Sequence, residues 1–159
     1  MNLLHIAPWW LAALLTLVLV AAAIQDIVAR KISNLLVLAV LLLGLVAMVI
    51  AGIRPLLWQN WVIFAGLLVV GTVAYSRQIF GGGDIKLFAA VGLWSNLSAA
   101  PRLLVAILIS GGVLALIMLA KLLVRREPGA GPLSSRRSVP YGVAIAAGAL
   151  IVTWYGRRF

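Results

Sequence analysis

The 159-residue sequence has no cysteine and only three acidic side chains, Asp26, Asp84 and Glu127. Without cysteine there are no disulfides, no thiolate metal sites and no cysteine nucleophile. Charge as a whole is scarce, with 10% of residues charged against 65% hydrophobic and a mean hydropathy of +1.18. That balance excludes a soluble globular domain; the apolar surface must face lipid, and residues 1–159 read as a single membrane domain. The thirteen Lys and Arg give a formal net charge of +10. They fall in short loops between apolar runs, a pattern that fits anionic headgroups and the positive-inside rule and not nucleic acid. No metal-ligand cluster and no internal repeat is present, so neither a metal nor a cofactor is expected.

Six runs are long enough to approach the roughly 30 Å of a hydrocarbon core: 8–25, 33–52, 59–76, 84–99, 101–124 and 139–156. They are continuously apolar and lack the alternation of a membrane barrel, so the expected fold is all-α, a polytopic bundle of about six transmembrane helices. In the second run Ser33 caps the start, Pro55 lies beyond the end and Gly44 is the one interior helix breaker. The fourth run is short and carries Lys86, Trp94, Ser95 and Asn96, which reads as a span that is tilted, partly interfacial or shielded by its neighbours.

Taking the loops alternately, Arg30, Lys31, Arg77, Lys86, Lys121, Arg125, Arg126, Arg136 and Arg137 collect on one side; only Arg54, Arg102, Arg157 and Arg158 lie on the other. The more basic side is expected to be cytoplasmic. The six tryptophans, Trp9, Trp10, Trp58, Trp61, Trp94 and Trp154, map to the opposite side as interfacial anchors. Both termini are then extracytoplasmic. The first run lacks a basic n-region despite Ala21-Ala22-Ala23, and is expected to be a retained helix.

Asp26, at the end of the first run, and Asp84, at the start of the fourth, fall on the same side. An aspartate at a helix centre costs ~2.5–3.5 kcal/mol to insert, so two cost on the order of 5–7 kcal/mol unless paired or solvated. Two adjacent carboxyl groups do not both ionise cheaply and share a proton; one then activates water while the other protonates the scissile group. This is aspartic-protease chemistry. Asp84 opens a helix, where the dipole favours charge, and Asp26 closes one, which makes Asp84 the expected base.

The flanking residues narrow the field. Gly81-Gly82-Gly83-Asp84-Ile85-Lys86-Leu87 is a glycine-rich turn delivering a carboxylate into a helix, where glycine allows close backbone approach and positive φ. This Gly-x-Gly-Asp segment with its Ile85-Lys86-Leu87 continuation resembles the type IV prepilin peptidases, intramembrane aspartic proteases of the GxGD type. Asp26 followed by Ile32-Ser33-Asn34 is similar to that family's first-aspartate segment, with Ser33 in place of the usual proline. Val139-Pro140-Tyr141-Gly142-Val143-Ala144-Ile145-Ala146 is similar to its last-helix segment. The resemblance implies Asp26 and Asp84 as the catalytic pair, with Gly81, Gly83, Lys86, Asn34, Pro140, Tyr141 and Gly142 shaping the site. It also implies cleavage, in the bacterial inner membrane, of a short basic leader ahead of an apolar helix in a pilin-like precursor. The larger members carry a zinc-binding cysteine domain and N-methylate the product. Those cysteines have no counterpart here, and the resemblance is to the minimal members serving Flp or Tad-type pili.

Plainer readings apply to the same residues. Arg30 is placed to bridge Asp26 if the helix continues through it, Lys86 to snorkel to headgroups, and Asn34 to cap the second helix beside Ser33. Pro140 and Tyr141 fit a helix start, and Gly142 with Ala146 a small-residue packing face. His5 is expected to be solvated and Glu127 to lie in a solvated loop. A second functional class, a proton- or cation-coupled transporter using the same aspartates, is disfavoured because transport sites lie near the midplane between repeats.

Overall fold

The computed structural model describes residues 1–52, 54–78, 80–124 and 141–155. Among them every regular element is helical: α1 (Leu3–Ile6), α2 (Trp9–Ala29), α3 (Asn34–Ile50), α4 (Trp58–Ser76, entered through a 3-10 turn at Pro55–Leu57), α5 (Gly82–Gly92), α6 (Ala100–Val124) and α7 (Tyr141–Tyr155). Pro140, Glu127 and the basic residues of the segment between α6 and α7, with Arg157 and Arg158, lie outside the described residues.

Local chemistry sets the boundaries that matter for the site. Pro8 precedes the first residue of α2, where its missing N–H costs nothing. The helix ends because Arg30 adopts the left-handed conformation (φ 51°) and its N–H closes on the Asp26 carbonyl at 2.9 Å. The continuation needed for an Arg30–Asp26 bridge is therefore absent. Ser33 caps α3 as expected, its Oγ accepting from the Leu36 N–H at 3.3 Å.

Three helices are long and apolar enough to cross a membrane, Trp9–Ala29, Pro55–Ser76 and Ala100–Lys121, with Asn34–Ile50 and Tyr141–Tyr155 as shorter apolar helices. The chain is thus a helical membrane bundle. The run 84–99 departs from expectation: α5 has 11 residues and rises only about 16 Å. It stops because Asn96 turns the chain, its side chain and carbonyl both accepting from the Ala99 N–H as the next helix begins.

This short helix is the centre of the bundle. It packs against α3, α4 and α7, while α2 packs on α3 and α7, and α6 lies mainly against α7. Lipid tails are as apolar as the helices, so close backbone approach and buried hydrogen bonds hold the bundle together. Gly148 of α7 lies against the Ile107 backbone of α6, where a Cβ would come within 2.6 Å of Ile107 N and Cα. On α5, Gly92 admits the side chains of Leu67 and Ile63 from α4. The outer faces of α4 and α6 expose Val69, Val70, Leu108 and Leu116, as a lipid-facing surface requires.

Trp94 corrects the expectation that all the tryptophans are interfacial anchors. It is wholly buried, with its indole N–H donating to the Val40 carbonyl at 3.2 Å, and Gly44 provides the gap that the indole fills. Gly44 is therefore a packing position and α3 runs through it unbroken. His5 also differs, since its Nε2 lies 3.2 Å from the Val152 carbonyl on α7.

Candidate active site

The folded chain brings Asp26 and Asp84 to one end of the bundle, where both line a cavity of about 230 Å³ with Arg30, Lys31, Ile32, Gly81, Gly82 and Gly83. Asp26 is 4% exposed. Asp84 is half-buried, and the two carboxylates are close enough to interact electrostatically.

Each aspartate is held by a different local device. Gly81 is the N-cap of α5 and Asp84 its third helical residue, so the carboxylate folds back over the Gly81 N–H in the manner of the acidic half of a capping box. A Cβ on Gly81 would stand 2.9 Å from Asp84 Oδ2. Gly83 meets the segment between α2 and α3, with a Cβ there 3.2 Å from both Cβ and O of Ile32. Gly81 and Gly83 serve close approach, whereas a Cβ on Gly82, the third glycine of the turn, would meet Tyr75 at an ordinary 3.5 Å. None has positive φ, contrary to one of the two reasons expected for them.

Asp26 faces the first turn of α7, where the N–H groups of Gly142 and Val143 point at its carboxylate; the Gly142 N–H is directed at Asp84 as well. Asp26 Oδ2 nevertheless completes no hydrogen bond of ordinary geometry and is a buried, unpartnered acceptor. The carboxylates thus converge on one amide at the N-terminus of α7. The dipole asymmetry expected from α2 and α5 alone is offset by α7, which serves both aspartates.

A family model of the type IV leader peptidase family matches residues 13–120. The chain belongs to that family. It is accordingly a peptidase and, with its apolar helices, a membrane protein. The family match includes both aspartate segments and ends before Tyr141–Gly142, so the place of α7 in the site rests on the geometry described above. No curated protein and no solved structure matches the chain.

The other residues expected at the site divide into groups. Gly81 and Gly83 line the cavity, and Gly142 abuts Asp26, a Cβ there falling 2.8 Å from its Oδ2. Lys86 and Asn34 lie outside the cavity lining and pair with one another, Nζ donating to Oδ1 at 3.0 Å. Lys86 is therefore anchored to protein, where snorkelling to headgroups was the plain expectation. Tyr141 meets Phe80 edge-on, ring centroids 4.8 Å apart, beside the glycine turn. Pro140 lies outside the described residues.

Sequence reasoning missed Gln25, whose Oε1 accepts from the Ser33 N–H at 2.8 Å. The signal was available as an amide side chain next to Asp26 near the end of an apolar helix. It also read Lys31 as a topology marker alone, and Arg30 as a marker or a partner of Asp26, although both line the cavity. The Val143 amide leaves no trace in side-chain identity.

Proposed function

We propose that this peptidase is an intramembrane aspartic endopeptidase that removes the short basic leader from pilin-like precursors, with Asp26 and Asp84 as its catalytic pair. The observation that carries this reading is the convergence of both carboxylates on one cavity and on the Gly142 amide. The family match supports the peptidase class.

The chemistry follows from the pair sharing one proton. The ionised carboxylate takes a proton from water as the oxygen attacks the scissile carbonyl carbon. The protonated partner donates to the carbonyl oxygen, and the tetrahedral species collapses with protonation of the leaving amide nitrogen and breakage of the C–N bond. One wall of the cavity is glycine, so an extended substrate backbone can approach without meeting side chains. Gly81, Gly83 and Gly142 shape that wall and the Asp26 contact, Tyr141 flanks it, and Lys86 and Asn34 brace it.

The excess of basic residues in the loops on the aspartate side supports a site at the cytoplasmic face of a bacterial inner membrane, with both termini outside. The substrate is a precursor whose basic leader precedes an apolar helix, and lipid is the other partner. N-methylation is not assigned.

Co-expression with a candidate precursor tests this directly, with product size read on gels. Wild type is expected to shorten the precursor, and Asp26→Asn and Asp84→Asn each to leave it full length. Cleavage surviving both substitutions would end the dyad reading.

A further inference from the structure

The short segment between α2 and α3 is tied to both aspartate-bearing helices. Ile32 lies on Gly83, where a Cβ would come within 3.2 Å of the Ile32 Cβ and carbonyl oxygen. The Ser33 N–H donates to Gln25 Oε1 at 2.8 Å, and Lys86 Nζ donates to Asn34 Oδ1 at 3.0 Å. Gln25 adjoins Asp26, and Lys86 is two residues after Asp84. A continuous chain of bonds therefore runs from Asp26 through Gln25, Ser33, Asn34 and Lys86 to Asp84.

We propose that Lys86 and Asn34 are positioning residues, whose hydrogen bond clamps the start of α5 to the start of α3 and so sets the separation of the two aspartates. This rests on the dyad reading above. Neither side chain lines the cavity, so neither is placed to touch the reacting atoms. Both are exposed, where a single hydrogen bond adds little to global stability; the clamp acts on geometry. Its leverage comes from α5 itself, an 11-residue helix whose opening turns meet α4 through Ile85 on Gly71 and meet the α2–α3 segment through Gly83 on Ile32 and this bond, the one polar tie among them. The Ser33–Gln25 bond completes the brace, and stiffens the position where the family's usual residue is proline.

The test uses the full chain purified in detergent, comparing wild type with Lys86→Met, Asn34→Leu, the double variant and Asn34→Asp, which keeps an acceptor. Each of the first two is expected to lower kcat about 10- to 100-fold, the range for a misplaced catalytic group, with KM little changed. The double variant should be no worse than the poorer single, and Asn34→Asp should retain most activity. Losses that multiply in the double variant, or a rise in KM alone, would overturn the clamp and make Lys86 a substrate contact.

A second measurement stands apart from catalysis. Because the chain has no cysteine, spin labels attached through Leu35→Cys, at the exposed start of α3, and Phe80→Cys, just before α5, report the distance between the two clamped helix starts. That distance distribution should broaden in Lys86→Met and not in Asn34→Asp. An unchanged width overturns the clamp whatever the enzyme cleaves. Broadening in a protein whose wild type processes no precursor would leave the clamp standing and sink the functional reading.

Discussion

Gly142→Ala isolates the contact on which the site depends most. A Cβ there would fall 2.6 Å from Ile32 Cδ1, 2.8 Å from Asp26 Oδ2 and 3.0 Å from Asp26 Cγ. The Ile32 methyl is the far end of a side chain and can rotate away. The Asp26 carboxylate has less freedom, since it is buried on a regular helix beneath the α7 terminus. Restoring ordinary C···O contact of roughly 3.3 Å requires a retreat of about half an ångström, either of the carboxylate or of α7. Overpacking of this kind costs about 1–3 kcal/mol of stability. Displacement of a catalytic group by up to ~1 Å costs on the order of 10- to 100-fold in rate. The assay is precursor cleavage per folded molecule, with the folded fraction taken from thermal unfolding in detergent. Gly112→Ala serves as the control, because a Cβ at Gly112 meets nothing within 4 Å. Wild-type cleavage by Gly142→Ala, with an unchanged melting temperature, would refute the close packing of α7 on Asp26.

Other substitutions separate stability from chemistry. Gly148→Ala forces a Cβ against the Ile107 backbone, which no rotamer relieves; thermal unfolding should report a loss of about 1–3 kcal/mol, with activity per folded molecule preserved. Trp94→Phe removes the donor to the Val40 carbonyl and, with the smaller ring, should destabilise by roughly 1–3 kcal/mol in the same measurement. Gly81→Ala brings a Cβ to 2.9 Å from Asp84 Oδ2 and should slow cleavage by about tenfold or more while barely moving the melting temperature. Ser33→Ala loses the α3 cap, which unfolding should register as about 0.5–2 kcal/mol.

The sequence was most readable where physics is local. Ser33 capping α3, and glycine packing beside Asp84, follow from propensities that act within a few residues. The helical class followed from composition, because a chain this apolar satisfies its backbone internally. The fourth run is shielded by its neighbours, one of the readings its polar residues allowed, but its helix was drawn too long because hydropathy counts apolar residues without regard to what covers them. Leu93, Trp94 and Ser95 are buried by protein, so the run 84–99 looks like a lipid-facing span although the helix has ended. Trp94 was misplaced for the same reason. The Lys86–Asn34 and Ser33–Gln25 bonds required knowing which helix ends meet, and a charge on a loop reads equally well as a topology signal. The convergence of α7 on both aspartates was the least readable feature, since its donors are backbone amides that every residue but proline possesses.

The brevity of α5 also bears on energy conservation. Beneath Asp84 the chain places Leu87, Ala90, Val91, Leu93 and Trp94, each no more than 1% exposed. The cavity opens at one end of the bundle above this plug of close-packed apolar side chains. Hydrolysis needs water at the peptide bond, and in a membrane protein a water-filled hole running through the bundle would short-circuit the ion gradients held across the bilayer. The half-length helix with its tryptophan floor works as an insulator: solvent entering by the mouth meets a dry seal, and the enzyme can be wet on one side without becoming a leak.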